Sequence, residues 1–281
     1  MKFLLSTLSF LVISSSCLSN DDTNYFLDQS IEDIFNVKID IATGLPQSMR
    51  QAPAVTTIIT AEQIQFMGYT ELDEVLETVP GLHVGSSRQY EAFYNFRGIY
   101  SSRFNPQALM LVNGIPITSV STGNRGQRWG GMPVNSIQRI EVLRGPGSAL
   151  YGAEAFAGVI NIITKTRDDI DGTVVGIGRG QWNTTNAWLL HGLDVGNTEV
   201  ALTLEYVKTD GQNSLVESDF QTTLDELTGT RASLAPGPLS LMKTSYEMRL
   251  DIALDRWKLR SGWQHRTDMG IGFGTSEALD P

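Results

Sequence analysis

Cysteine is all but missing from this chain. The single one, Cys17, sits in the first twenty residues, so no disulfide can form once a leader is removed, and a cysteine-based metal site is excluded. Basic residues are also in short supply: 21 Lys and Arg face 31 Asp and Glu, for a net charge of −10. That balance argues against nucleic acid as a partner, because phosphate binding needs a basic face. Histidine is scarce. His83, His191 and His265 stand far apart with no metal-ligand spacing and no accompanying nucleophile, so neither a metal centre nor a catalytic histidine is expected, and no cofactor is implied. Long apolar runs are lacking too. The stretch Phe3 to Ile13 falls short of the roughly 20 apolar residues of a membrane-crossing helix, and no later stretch qualifies.

What is there begins with an export signal over residues 1–19. Lys2 supplies the positive start, Phe3 to Ile13 the apolar centre and Ser14 to Ser19 the small residues around a cleavage point, after Cys17 or Ser19. Cys17 also admits a lipoprotein signal, although Ser14 stands where such a signal favours Leu. Residues 20–51 are a polar extension. Within it Ile31, Ile34, Val37, Ile39 and Ile41 drift from helical to alternating spacing, which reads as a partly extended tether or as an ordinary leader.

From Ala52 to Arg167 the texture is that of a small α+β domain. "VTTII" is a short β run, and Thr60 with Gln63 has capping-box spacing for a helix that Gly68 closes. Thr70 and Asp73 repeat the start signal ahead of Leu72, Val75, Leu76 and Val79, which fall on one helical face. In "ALMLVNGIPI" the Asn113-Gly114 pair predicts a tight hairpin, since both turn residues must accept positive φ. Arg139–Leu143 and Gly158–Thr164 are further short strands, joined by "GPGSALYGAEAFA". Gly145, Gly147 and Gly152 permit turns and close approaches there that a Cβ would block, and Pro146 stiffens the corner.

After Asp168 the pattern becomes long strands with strict alternation. Val200, Leu202, Leu204 and Tyr206 point one way and Glu199, Ala201, Thr203 and Glu205 the other. Tyr246, Met248, Leu250, Ile252 and Leu254 likewise oppose Glu247, Arg249 and Asp251. Alternation alone permits a soluble sandwich with its apolar face inside. Strands of about ten residues with aromatics near their ends (Trp182, Trp188, Tyr206, Trp257, Trp263) favour the wall of a transmembrane β-barrel. Five strands are expected, near 172–181, 184–192, 198–207, 244–254 and 257–265, with a long polar loop over 208–243. A closed barrel needs at least about 8 strands, so residues 168–281 read as the first strands of an incomplete barrel and the chain as an N-terminal fragment.

"IQRIEVLRGPGSALYGAEAFAGVINIITK" resembles the plug signature of the TonB-dependent outer-membrane receptors nearly throughout. "APAVTTIITAEQI", "LDEVLETVPGLHV", "NFRGI" and "ALMLVNGIPI" precede it in the family's order, and Phe96 in "NFRG" stands where the family often has an aliphatic residue. The resemblance covers about residues 50 to 165. It implies a plug lodged in a large barrel in the outer membrane of a Gram-negative bacterium, surrounded by membrane lipid. It further implies import of a scarce nutrient, a ferric siderophore or a cobalamin-type ligand, driven by force from TonB. By resemblance, Arg97 and Arg144 pair with barrel glutamates and hold the plug, with Glu199, Glu205 and Glu247 as lumen-facing candidates and surface exposure as the bland alternative. Ligand contacts are expected from the plug's outward loops, at Arg88, Tyr90, Tyr94, Tyr100 and Arg103, whose aromatic and guanidinium groups suit flat anionic chelates. Phe35, Asn36, Val37, Lys38 and Ile39 are the candidate TonB box, because strand addition needs an extended segment with a free backbone.

Other readings carry less. "GPGSALYG" lacks the Lys-Ser/Thr pair of a phosphate loop, and "GIGRG" at 176–180 lacks dinucleotide spacing. Acidic pairs such as Asp73/Glu74 read as solvated helix surface. A periplasmic binding module without transport remains the alternative function. A passive porin has no reason to carry a hundred-residue plug.

Overall fold

The computed structural model describes residues 38–39, 47–48, 55–86, 92–99, 105, 107–118, 131–274 and 278–280. Two short strands come first, β1 (Lys38–Ile39) and β2 (Gln47–Ser48), paired antiparallel. The α+β domain follows with β3 (Val55–Thr60), α1 (Ala61–Met67), α2 (Leu72–Glu77), β4 (Leu82–Ser86), β5 (Ala92–Phe96), β6 (Ala108–Val112), β7 (Ile115–Pro116), β8 (Ile137–Arg144), α3 (Ser148–Tyr151) and β9 (Gly158–Thr164).

Five of these strands form one sheet in the order β3-β8-β9-β6-β7, antiparallel except for the parallel pair β6 and β9, while β4 and β5 make a separate ribbon. The core lies where α1, α2 and the ribbon cover the sheet. Ile59, Ile64, Leu72, Val75, Leu76, Phe96, Met110, Ile140 and Ile160 are buried together there. Each such side chain contributes about 1.5–3 kcal/mol by leaving water.

The local signals act as their chemistry requires. Thr60 Oγ1 accepts from Gln63 N–H and the Gln63 carbonyl oxygen accepts from Thr60 N–H, a complete capping box, and Gly68 ends α1 in the left-handed region. Asn113 (φ 51°) and Gly114 (φ 78°) make the expected turn, with Val112 opposite Ile115. The second start signal falls one residue from its expected place: Glu71 is the N-cap of α2, and the Glu74 carboxylate accepts from the N–H groups of Thr70 (2.9 Å) and Glu71 (3.2 Å). Two acidic residues lie within one turn, and Asp73 is drawn elsewhere.

A 3-10 turn at Arg167–Asp169 leads into the second sheet. Its strands are β10 (Thr173–Arg179), β11 (Thr185–Val195), β12 (Thr198–Thr209), β15 (Lys243–Leu254) and β16 (Trp257–Thr267), each antiparallel to the next. The connection between β12 and β15 is not a plain loop. It holds β13 (Leu215–Val216), α4 (Phe220–Thr228) and β14 (Gly237–Pro238), and after β16 comes a ribbon of β17 (Gly272–Phe273) and β18 (Leu279–Asp280).

Candidate functional site

The second sheet is packed inside out by the standard of a soluble protein. On β12, Ala201, Thr203, Glu205 and Val207 are buried, and on β15 so are Ser245 and Glu247. The opposite face is open: Val175 is 69% exposed, Ile177 71%, Leu259 59% and Trp257 75%. Polar residues in and apolar residues out is the arrangement of a barrel wall facing lipid. The α+β domain occupies the inner side.

Among the described residues, three ties from the wall converge on one short segment of the plug or beside it. Glu205, 4% exposed, accepts from the backbone N–H of Asn135 (3.0 Å) and Ser136 (2.8 Å) and from Asn135 Nδ2 (3.0 Å). Arg249 directs Nη2 at Met132 Sδ, 3.6 Å away, while pairing with Glu247. Lys243 pairs with Glu71 at the start of α2. Residues 131–136 are thus a strap between α2 and the wall, and Leu72 N–H donates to Met132 O (2.8 Å) to close it. Hydrogen bonds to a charged partner are worth about 1.5–3 kcal/mol each, and stranding a buried carboxylate costs more.

Behind the strap lies Asp73. Its carboxylate accepts from Tyr94 Oη (3.1 Å) and from Gly131 N–H (2.8 Å). Desolvation, with the neighbouring Glu71 charge adding to it, pushes its pKa up to about 6, and desolvation likewise raises the Tyr94 phenol. Arg266, on the inner face of β16, is within electrostatic reach of Glu71, Asp73 and Glu247. The reading of Asp73 as solvated helix surface is therefore overturned. Nothing local marked it, because Tyr94 and Gly131 lie 21 and 58 residues away.

The glycine corner has two physical causes. Gly145 (φ +150°) and Gly152 (φ +78°) hold backbone conformations that L side chains rarely adopt, with open space around them. Gly147 has ordinary φ, but a Cβ there would lie 2.8 Å from Val159 Cγ2 and 3.2 Å from Ala155 Cβ. The chain turns through this corner on Gly145 N–H to Ala157 O (3.1 Å) and Gly147 N–H to Ala155 O (2.8 Å).

Arg97 and Arg144 both reach backbone oxygens of the plug. Arg97 Nη2 donates to Arg144 O (3.0 Å), and Arg144 Nη1 donates to Pro80 O (2.7 Å). Among the described residues neither pairs with a carboxylate, and Glu205 and Glu247 are engaged as above. Tyr94 is corrected outright: it is 1% exposed in the core on β5, so it lines no outward loop. The side chains of Arg88, Tyr90, Tyr100 and Arg103 lie outside the described residues, as do Phe35, Asn36 and Val37. Lys38 and Ile39 have extended backbone in β1. Among the described residues, no group of three or more His, Cys, Asp or Glu could hold a metal.

Residues 48–159 match the family model described as TonB-dependent Receptor Plug Domain. The chain belongs to the TonB-dependent receptors. It is 33% identical over 211 residues to the vitamin B12 transporter BtuB of Vibrio vulnificus (strain CMCP6), covering 67% of this chain and 33% of that one. It is 34% identical over 171 residues to the ferric enterobactin receptor PirA of Pseudomonas aeruginosa, covering 56% and 23%. The chain therefore spans about a third or less of the length of these curated relatives. Among solved structures the fold matches P. aeruginosa FpvA bound to pyoverdine (TM-score 0.59, 19% identity, 84% of this chain and 28% of that one). It also matches the ferric yersiniabactin uptake receptor FyuA of Yersinia pestis (TM-score 0.54, 19% identity, 76% and 31%). The α+β domain is the plug, the second sheet is part of the barrel, and the setting is the outer membrane.

Proposed function

We propose that this receptor imports a scarce nutrient, a ferric siderophore in the first instance, with the plug displaced by force that TonB applies near the N-terminus. The observation that carries the reading is the inverted second sheet: an apolar outer face and a polar inner face holding a plug fit a lipid-embedded wall around a gate. Arg88, Tyr90, Tyr100 and Arg103 are the proposed plug contacts to the ligand, and Phe35–Ile39 the TonB box. Arg97 and Arg144 are proposed to meet wall carboxylates as well as the backbone oxygens they hold. A cobalamin-type nutrient is the second reading, favoured by the likeness to a vitamin B12 transporter.

The test is uptake by cells carrying the complete receptor as their sole importer. Labelled ferric siderophores of several chelate types and labelled cobalamin are supplied with and without TonB. TonB-dependent accumulation of a siderophore is expected. Uptake of cobalamin alone selects the second reading, and uptake of neither overturns both. Deletion of residues 35–41 should abolish capture by TonB; unchanged capture sinks the box assignment.

A further inference from the structure

A cavity of about 340 Å³ lies between plug and wall, on the periplasmic side of the strap. Short connections mark that side of such a wall. Two of the lining residues, Asp251 and Arg260, pair only a few positions from Leu254 and Trp257, which close the tight turn between β15 and β16. Lys165 reaches the cavity from just past the end of β9, ahead of the linking turn into β10. Glu205 serves the strap, and the next inward pairs toward the tight turns, Thr203 with Arg249 and Ala201 with Asp251, line the cavity. Ser136 belongs to both, since its N–H binds Glu205 and the residue borders the cavity.

Donors on this lining outnumber the groups that answer them. The Lys165 ammonium makes no hydrogen bond or ion pair among the described residues. Of the carboxylates in its electrostatic reach, Glu205 is taken up by the strap, Asp169 accepts from Thr166 N–H and Gln138 Nε2, and Glu62 is exposed on α1. Desolvation lowers the Lys165 pKa, so an anion delivered beside it restores what burial takes away. Ser136 is 1% exposed, and neither its Oγ nor Arg249 Nε has a partner among the described residues. Arg249 pairs with Glu247 and Arg260 with Asp251 (2.6 Å). Three cations thus face two carboxylates, leaving one positive charge over in a protein of net charge −10. Val112, Ile115 and Ile117 give the cavity an apolar side. A single anion on an apolar stem fits such a lining, and the volume is at the small end of ligand pockets, room for part of a metal chelate rather than the whole. We propose that this cavity is an internal holding site for one carboxylate-bearing arm of the imported ferric chelate, bound by Lys165 and Ser136 after it leaves the outward loops. The inference rests on the siderophore reading above and gives the same cargo a second stop.

The test uses the complete receptor, with heat-modifiable migration as the check that each variant has formed its barrel. 4-Iodobenzoate, a carboxylate on an apolar ring, is soaked into crystals and titrated in detergent. Anomalous density for iodine is expected in the cavity, with affinity at least about tenfold lower for Lys165→Met and for the neutral 4-iodobenzyl alcohol, and largely kept in Lys165→Arg. Ferric chelates with and without a free carboxylate are then supplied to cells. Lys165→Met should bind the carboxylate-bearing chelate at the cell surface with unchanged Kd, import it several-fold more slowly, and import the carboxylate-free chelate as the wild type does. Iodine elsewhere, or equal affinity in Lys165→Met, overturns the site. Probe binding without a selective loss of carboxylate-bearing cargo assigns the cavity to a free periplasmic carboxylate and overturns the role in import. If import is normal and the probe ignores Lys165→Met, this proposal fails alone; if the probe binds but no chelate is imported, the siderophore reading fails and the anion site stands.

Discussion

Single side chains decide how firmly the plug is held. Glu205 satisfies two backbone N–H groups and one amide that would otherwise be buried at the strap without partners. Glu205→Gln keeps the volume but turns one oxygen into a donor facing donors. The amides of Asn135 and Ser136 should then exchange hydrogen at least about tenfold faster, with little change on β9. Asp73 makes a pH prediction. Its folded pKa of about 6 stands above the ordinary aspartate value of 3.8, so protonation favours the folded state. That contribution is complete below about 4 and is lost as pH rises through 6. The stability of the wild type minus that of Asp73→Asn should therefore increase as pH falls from 7 to 4 in thermal melts; a flat difference shows that Asp73 titrates normally. The glycines separate by cause. Gly147→Ala meets Val159 and should cost about 1–3 kcal/mol, partly recovered in the double variant with Val159→Ala. Gly145→Ala, whose strain is in the backbone, should show no such coupling.

Elements followed the sequence wherever the signal was local. The five wall strands begin and end within a few residues of where alternation put them, because period-two patterning over ten residues is hard to produce by chance and is set by the strand itself. The capping box on α1 and the turn at Asn113-Gly114 were equally readable, each resting on residues at most three apart. What stayed hidden was pairing at a distance. Glu205 meets Asn135 and Ser136 across 70 and 69 residues, and Tyr94 looked like a loop aromatic until β4 pulled β5 into the core. The helix α4 was missed although its signals were present: Asp219 caps it by accepting from Thr222 N–H (2.7 Å), and Gly229 closes it. Polarity hid it, for its sequence offers no long apolar face. Asp219 also accepts from Ser233 Oγ (2.7 Å) and from Leu279 N–H (2.7 Å), which fastens the connection after β12 to the one after β16. These donors hold its pKa well below the usual carboxylate range, although burial opposes them. Asp219→Ala should expose both connections to protease together. Cleavage confined to residues 211–242 would show that they are independent.

At the scale of the whole molecule, the two sheets differ in what they treat as inside. The plug sheet buries Ile140, Val142 and Ile160 as any water-soluble domain would, whereas the wall sheet turns Val175, Ile177 and Leu259 outward and keeps Glu205 and Glu247 within. In water that choice would forfeit the transfer free energy of every outward side chain, about 25 cal/mol for each Å² left wet. In a bilayer it costs nothing, and the polar face is paid back by the strap. A single charge distinguishes the two settings. Val175→Arg places a guanidinium on the outward face of β10, and in lipid vesicles it should destabilise the complete receptor by about 2–4 kcal/mol if Val175 lies at the midplane, less toward either interface. Urea titration of the refolded barrel measures it. On a water-facing sheet the same substitution would stay within about 0.5 kcal/mol, so a neutral result would mean that lipid does not cover this face and that the plug is not gated from within a membrane wall.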